Sequence, residues 1–227
     1  NSLKISENFE LDIILGKKKN NMPKIFYNCS TSKDITPLIP KPKKIVDQNN
    51  PFIIGYSGSI VYYEGIYEAV IAIEELIRST NLNIEVHILG NINTIIEEET
   101  KFGIYKYREL IKKSFVKLIS KVTHDKVEQI QRTFDLYMIP RLDLPVTNIV
   151  SPIKPFEPLS LKIPLIMSDC LCLNKISKNG ENCVIFKKNN FKDFKEKVLQ
   201  IIMNGYKEEL LENGYNFIIN ERSWEKV

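Results

Sequence analysis

Three side chains at three-residue intervals, Ser151, Lys154 and Glu157, carry the most chemical meaning in this chain. They fall in VSPIKPFEPLSLKIPLIMSD, residues 150–169, which reads as a loop, a helix and then a strand. Ser151 before Pro152 is a helix-start signal: the serine can cap free amides and the proline is preset for the first helical position. A helix N-terminus carries partial positive charge, and a lysine close behind adds a full one. Amides and ammonium would then converge on a phosphate or diphosphate. Glu157 follows Lys154 by about one turn and shares its face. A carboxylate repels phosphate but accepts hydrogen bonds from sugar hydroxyls, as an acidic residue does on a ribose in dinucleotide folds. On spacing alone, a capped amphipathic helix with an exposed Lys–Glu pair worth roughly 0.3–0.5 kcal/mol explains the stretch equally well.

Other residues carry weaker signals. His124 lies in a capped loop, THDK, where a helix-turn role outweighs a ligand role. His87 lies within NIEVHILG and suits a hydrogen-bonded position in a sheet. Asp143, in RLDLPVTNIV beside the site, could meet a sugar or a metal, yet no cluster of carboxylates accompanies it. Tyr62, Tyr63 and Tyr67 could stack on a base or sugar, although helix-packing aromatics are commoner. Asp169 ends a strand and is expected to cap the next turn.

Such residues need a scaffold, and from Phe52 onward short β-rich apolar runs alternate with stretches of helical period, the pattern of a parallel sheet. Strands are predicted at FIIGYSGS, NIEVHILG, SFVKLISKV, DLYMIP, PLIMSD and CVIFKK. EGIYEAVIAIEELIRST is a helix with Ile66, Val70, Ile73 and Leu76 or Ile77 on its buried face. Helices are also predicted over 93–113, with a break near Gly103, and over THDKVEQIQRTF, capped by Thr123. The Ser151 helix follows, and FKDFKEKVLQIIMNG and KEELLENGYNFIINE end the chain. The expected fold class is α/β, a Rossmann-like doubly wound parallel sheet. Pro155 and Pro158 follow Pro152 closely, and an interior proline costs about 3 kcal/mol, so the Ser151 helix should be short or kinked.

The composition fits a soluble globular protein: 43% hydrophobic over 227 residues, with a formal net charge of +4. Lysines interleave with glutamates, which leaves no nucleic-acid footprint. No apolar run approaches the ~20 residues needed to span a bilayer, so a cytoplasmic location is the default. Cys29, Cys170, Cys172 and Cys183 have neither metal-ligand spacing nor a redox pair, and reduced, partly buried thiols are expected.

The residues as a set resemble the retaining nucleotide-sugar glycosyltransferases of family four, which have two Rossmann-like domains facing across a cleft. KIFYNCSTSKDITPL looks like the interdomain segment, and IIGYSGSIVYYEGIYEAV is similar to the first strand, glycine loop and helix of the donor-binding half. VTHDKVEQIQRTFDLYMIPR matches the family's strand, His-Asp turn, helix and apolar strand. VSPIKPFEPLSLKIPLIMSD resembles its Ser-Pro-Leu-Lys-Pro-Phe-Glu branch, NGENCVIFKKNN its Asn-Gly-Glu-Asn-Gly loop, and ERSW its closing helix.

The resemblance implies that residues 1–37 are the remnant of an N-terminal acceptor domain with the interdomain segment, and that 38–50 are a linker. Residues 51–227 would be the nucleotide-sugar binding domain, with its last helix truncated. Diphosphate would lie against Gly58, Ser59, Arg141, Val150, Ser151 and Lys154, and the nucleoside against Lys121, Val122 and Glu157. No catalytic residue is assigned. No cofactor or metal is expected, the nucleotide diphosphate sugar being the substrate. The implied partners are that donor, the missing acceptor domain and a glycan or lipid-linked acceptor, with peripheral association of the full protein at the inner membrane face left open. The activity implied is that of a hexosyltransferase in polysaccharide biosynthesis, with the fragment alone inactive.

The chain departs from the pattern in several places. Ile149 stands where the common form has a glutamate facing the donor sugar, Ser59 replaces an arginine, and Glu64 replaces a lysine. Arg141 and Lys154 are expected to restore the missing positive charge. Lys162 replaces a glycine at the end of the Ser151 helix, so a different turn is expected there. These losses support an alternative, a non-catalytic module that binds nucleotide sugar or a partner. A flavodoxin-like or receiver domain is disfavoured, since no acidic pocket follows the first strand.

Overall fold

A computed structural model of the chain describes residues 37–40, 43–90, 109–120, 122–149 and 152–222. Six parallel strands form one sheet: β1 (Phe52–Ser57), β2 (Ile84–Leu89), β3 (Val116–Ile119), β4 (Leu136–Ile139), β5 (Leu165–Ser168) and β6 (Val184–Phe186). Their order is β3-β2-β1-β4-β5-β6. The chain therefore leaves β1 in one direction for β2 and β3, then returns to place β4 on the other side of β1. The crevice at that reversal is where doubly wound sheets bind ligands.

Strands covered on both faces need apolar side chains on both faces, and LYMI of β4 and LIMS of β5 are buried throughout. Alternation distributes them between two cores. Leu136 and Met138 join Ile54, Tyr56, Ile66, Val70 and Ile73 on one side, while Tyr137 and Ile139 join Phe156, Leu159, Leu173 and Phe217 on the other. The first core is roofed by α1 (Ile66–Thr80) and by α6 (Phe191–Asn204), which pack on each other. As the spacing predicts, α1 buries Ile66, Val70, Ile73 and Leu76. The second core is covered by α4 (Phe156–Ser160) and α7 (Glu208–Glu221).

Four expectations are corrected. The helix expected to begin at Ser151 and Pro152 is α4, a single turn that starts at Phe156 with Pro155 in the N-cap position. The late start places Pro158 in the first turn, where amides have no intrahelical partner to lose. The segment read as the loop RLDLPVTNIV contains α3 (Pro145–Ile149), fastened by the Thr147 hydroxyl, which donates to the Leu142 and Leu144 carbonyls and accepts from the Leu144 amide. α5 (Leu171–Ser177) was not expected at all. Finally, Thr123 does occupy the N-cap of α2 (His124–Gln131), but its side chain makes no capping hydrogen bond.

Lys162 keeps the left-handed turn usually given to glycine, with φ of 55°. Its amide donates to the Leu159 carbonyl and the next amide to Pro158, the paired bonds that close a helix in a Schellman turn. The ammonium, 2.6 Å from Glu212 and over the Tyr215 ring, offsets the backbone strain. The predicted helical stretch 93–113 lies almost wholly outside the described residues.

Candidate functional site

Gly58 begins the loop after β1 with φ of 139°, a conformation that side chains rarely adopt. Its amide donates to Leu89 at the end of β2, and the Tyr56 hydroxyl donates to the Ser59 carbonyl 2.8 Å away. The Tyr137 hydroxyl donates to the Ser57 carbonyl and accepts from the Ser57 amide, both at 3.1 Å, which ties the ends of β1 and β4 together. Burial pushes the Tyr137 phenol far up, and the nearby charges of Glu157 and Glu64 add to it, so it stays protonated.

The loop then forms a 3₁₀ turn, Tyr62–Glu64, and enters α1 through Gly65 with φ of 69°. A Cβ on Gly65 would lie 2.0 Å from the Pro140 carbonyl oxygen, so only glycine lets this turn press on the end of β4. The Leu142 amide donates to the Tyr63 carbonyl at 2.9 Å and completes the contact. Glu64 is thereby driven into the crevice between the two strands, only 1% exposed.

Arg141 meets it from the loop just beyond β4. Its carbonyl is held by the Ser168 hydroxyl at 2.7 Å and the Cys170 thiol at 3.2 Å. Its guanidinium donates to Glu64 Oε1 at 2.8 Å, contacts Cys172 Sγ at 3.7 Å and lies 5.9 Å from the Tyr63 ring centre. Lys154, in the turn before α4, donates to the same Oε1 at 2.7 Å. Its ammonium lies over the Tyr56 ring, and its Cε occupies the space that a Cβ on Gly58 would need, 2.4 Å away. Burial raises the Glu64 pKa, but the hydrogen bonds and charges of Arg141 and Lys154 outweigh it and hold the carboxyl below its ordinary value. Arg141 likewise stays charged, burial being overcome by Glu64. Two cations focused on one oxygen form a site for an anionic group, already satisfied by a carboxylate from the chain itself.

Glu157, exposed at the start of α4, accepts from Gln131 Nε2 at 2.8 Å. Gln131 is itself buried at the end of α2. Lys154 and Glu157 therefore do not pair with each other: one turns to Glu64, the other to Gln131. Ser59 is exposed, and Val122 is half-buried ahead of Thr123. Lys121, Val150 and Ser151 lie outside the described residues.

The remaining candidates find structural partners. His87 Nε2 sits 2.8 Å from Glu85 Oε2, and its ring meets Phe134 edge-on. Asp143 pairs with Lys188 at 2.8 Å and accepts from Asn148, which holds its carboxyl below the ordinary range. Asp169 does not cap α5, whose N-cap is Cys170; it accepts from the Lys188 amide and pins the loop after β6. Tyr62 and Tyr63 pack edge to face, and Tyr67 leans on the core. Cys170, Cys172 and Cys183 are free thiols, and burial pushes Cys170 up to about 11 and Cys183 up to about 12. Among the described residues no group of three or more His, Cys, Asp and Glu comes together to hold a metal, and no helix is long and apolar enough to cross a membrane. A cavity of about 400 Å³ opens at the other end of the strands, beside Phe52, Asp135 and Pro164, remote from the ion trio.

Gly58, Arg141, Lys154 and Glu157 stand out in the sequence, whereas Glu64 reads there only as a replaced lysine and Gln131 not at all. A charged residue directly before a loop glycine is the signal that was available for Glu64.

No curated protein matches the chain in sequence. Solved structures share its fold. The C-terminal domain of a glycosyl transferase group 1 family protein (LpcC) from Francisella tularensis superposes with a TM-score of 0.58 at 14% identity, over 76% of this chain and 87% of that domain. TarM of S. aureus, solved as a variant with fondaparinux, alpha-GlcNAc-glycerol and UDP, gives 0.59 at 16% identity, over 84% of this chain and 37% of TarM. Alr3699/HepE of Anabaena, in complex with UDP-glucose, gives 0.63 at 12%, over 77% of this chain and 45% of that one. The chain thus spans less than half of these two longer proteins. The two-way sheet, the glycine loop packed on β4 and the cations at the reversal agree with the sequence match over residues 40–217: the chain belongs to the family described as glycosyl transferases group 1.

Proposed function

We propose that this chain is the donor-binding domain of a retaining glycosyltransferase of family-four type, which moves a hexosyl group from a nucleoside diphosphate sugar to a glycan or lipid-linked acceptor. The observation that carries the reading is the convergence of Arg141 and Lys154 at the β1–β4 crevice, beside the backbone of Gly58. An anionic leaving group at that point gains fixed positive charge in a partly buried setting, the electrostatic contribution that usually dominates such transfers. Glu157, 2.8 Å from the Gln131 amide group, keeps acceptor capacity for ribose hydroxyls. Complexes of structural neighbours with UDP and with UDP-glucose are in keeping with this class of ligand. No metal or other cofactor is proposed, and the acceptor half would be supplied by sequence outside this chain.

The test is a thermal-shift screen with uridine, guanosine and adenosine diphosphate sugars, because a ligand of the native state raises the melting temperature. One class should raise it by several degrees at saturation; a flat response across all three would sink the proposal. A second reading, a non-catalytic nucleotide-sugar module, is favoured by Glu64, which already pairs with both cations and cancels one of their two charges. Tight donor binding with no transfer after the acceptor half is restored would select it.

A further inference from the structure

We propose that Glu64 is a built-in counter-anion of the donor site: in the empty protein it holds Lys154, and a nucleoside diphosphate binds by taking Lys154 away from it. The inference rests on the donor-site reading above.

Three observations separate this trio from an ordinary structural ion pair. Both cations bind the same oxygen, Oε1, and Oε2 is buried with no hydrogen-bond partner among the described residues. A carboxylate kept for stability alone would satisfy both oxygens, since an unmet buried acceptor carries a penalty. The partners are also unequal. Arg141 is 4% exposed and fixed through its carbonyl, whereas Lys154 is 20% exposed and reaches the carboxylate by lying across Gly58 and the Tyr56 ring. Lys154 is the member of the trio that can turn outward without opening the core. Lastly, the lysine stem covers the glycine backbone that an incoming phosphate would approach, so occupation of that space and release of the lysine are one event. With Glu64 in place the trio has one net positive charge where the cations alone would offer two, and in a partly buried site that difference is large.

The consequence is an affinity limited by the exchange. Glu64→Gln keeps the shape and removes the charge. Calorimetric titration of UDP, GDP and ADP into the 227-residue chain and into this variant should show the preferred nucleotide binding at least about fivefold more tightly to the variant. Equal or weaker binding overturns the counter-anion, with the donor site intact. Absence of binding by both proteins overturns the donor-site reading and this inference together. Should Glu64→Gln not fold, lysine ammonium NMR on the unaltered chain decides the matter, with the Lys154 signal assigned by its loss in Lys154→Met. That signal must move when the binding nucleotide saturates the protein; a fixed signal overturns the proposal.

Discussion

At the scale of single residues, the proposed donor site takes Lys154 and Glu157 from one short segment, each held by a distant partner. Lys154→Ala removes the less buried of the two cations on Glu64 and is expected to weaken binding of the preferred nucleoside diphosphate by about tenfold, measured by calorimetry, the size of effect seen for charge-assisted hydrogen bonds. An unchanged constant would remove Lys154 from the site. Gln131→Leu leaves Glu157 without the amide that orients it, 2.8 Å away. The variant should narrow the preference for a ribonucleoside diphosphate over its 2′-deoxy analogue while leaving the melting temperature close to the parent's. Full retention of that preference would show that Gln131 does not position the carboxylate. Lys154 and Glu157 stand out in the sequence through their three-residue spacing, a local signal, although the Ser-Pro helix start read with it is not where the helix begins. Glu64 does not stand out, because its partners lie 77 and 90 residues along the chain and only the strand order brings them together.

Among elements, the long ones could be read directly. The strands are short, largely apolar runs, and α1 repeats its inward positions over 15 residues. The short α3 and α5 escaped because one or two helical turns show little period, and α4 was misplaced because its prolines shift the start rather than break the helix. Lys162 escaped for another reason: its left-handed backbone is supported by Glu212 and Tyr215 from α7, contacts invisible in the local sequence. The junction between the β1 loop and β4 depends on Gly65. Gly65→Ala combines a φ of 69° with a Cβ pressed against the Pro140 carbonyl, and should cost about 2–4 kcal/mol in urea unfolding. A loss under about 0.5 kcal/mol would mean that the turn is not packed as described.

For the molecule as a whole, the trio couples stability to pH. The Glu64 carboxyl is held below its ordinary value of 4.5, so the stability it contributes is complete above that value and is lost as pH falls through the lower one of the folded state. Glu74, Glu85 and Asp143 are also held low and contribute in the same direction. From about pH 5 to about pH 3 the melting temperature should therefore fall, and it should fall less in Glu64→Gln, which has nothing to protonate at that position. Parallel curves for the two proteins would show that the trio does not stabilise the fold. The strand order has a further consequence, in the time course of folding. β1 can pair with β2, and β2 with β3, as soon as they are made, but the other edge of β1 waits for β4, and the Ser57–Tyr137 clasp closes across 80 residues. Until β4 is synthesised, an apolar strand keeps one open edge, the stretch of a nascent chain most prone to pair with a neighbour. The crevice that would hold the donor therefore forms only when the growing chain reverses across β1, and β5 and β6 extend the sheet after it.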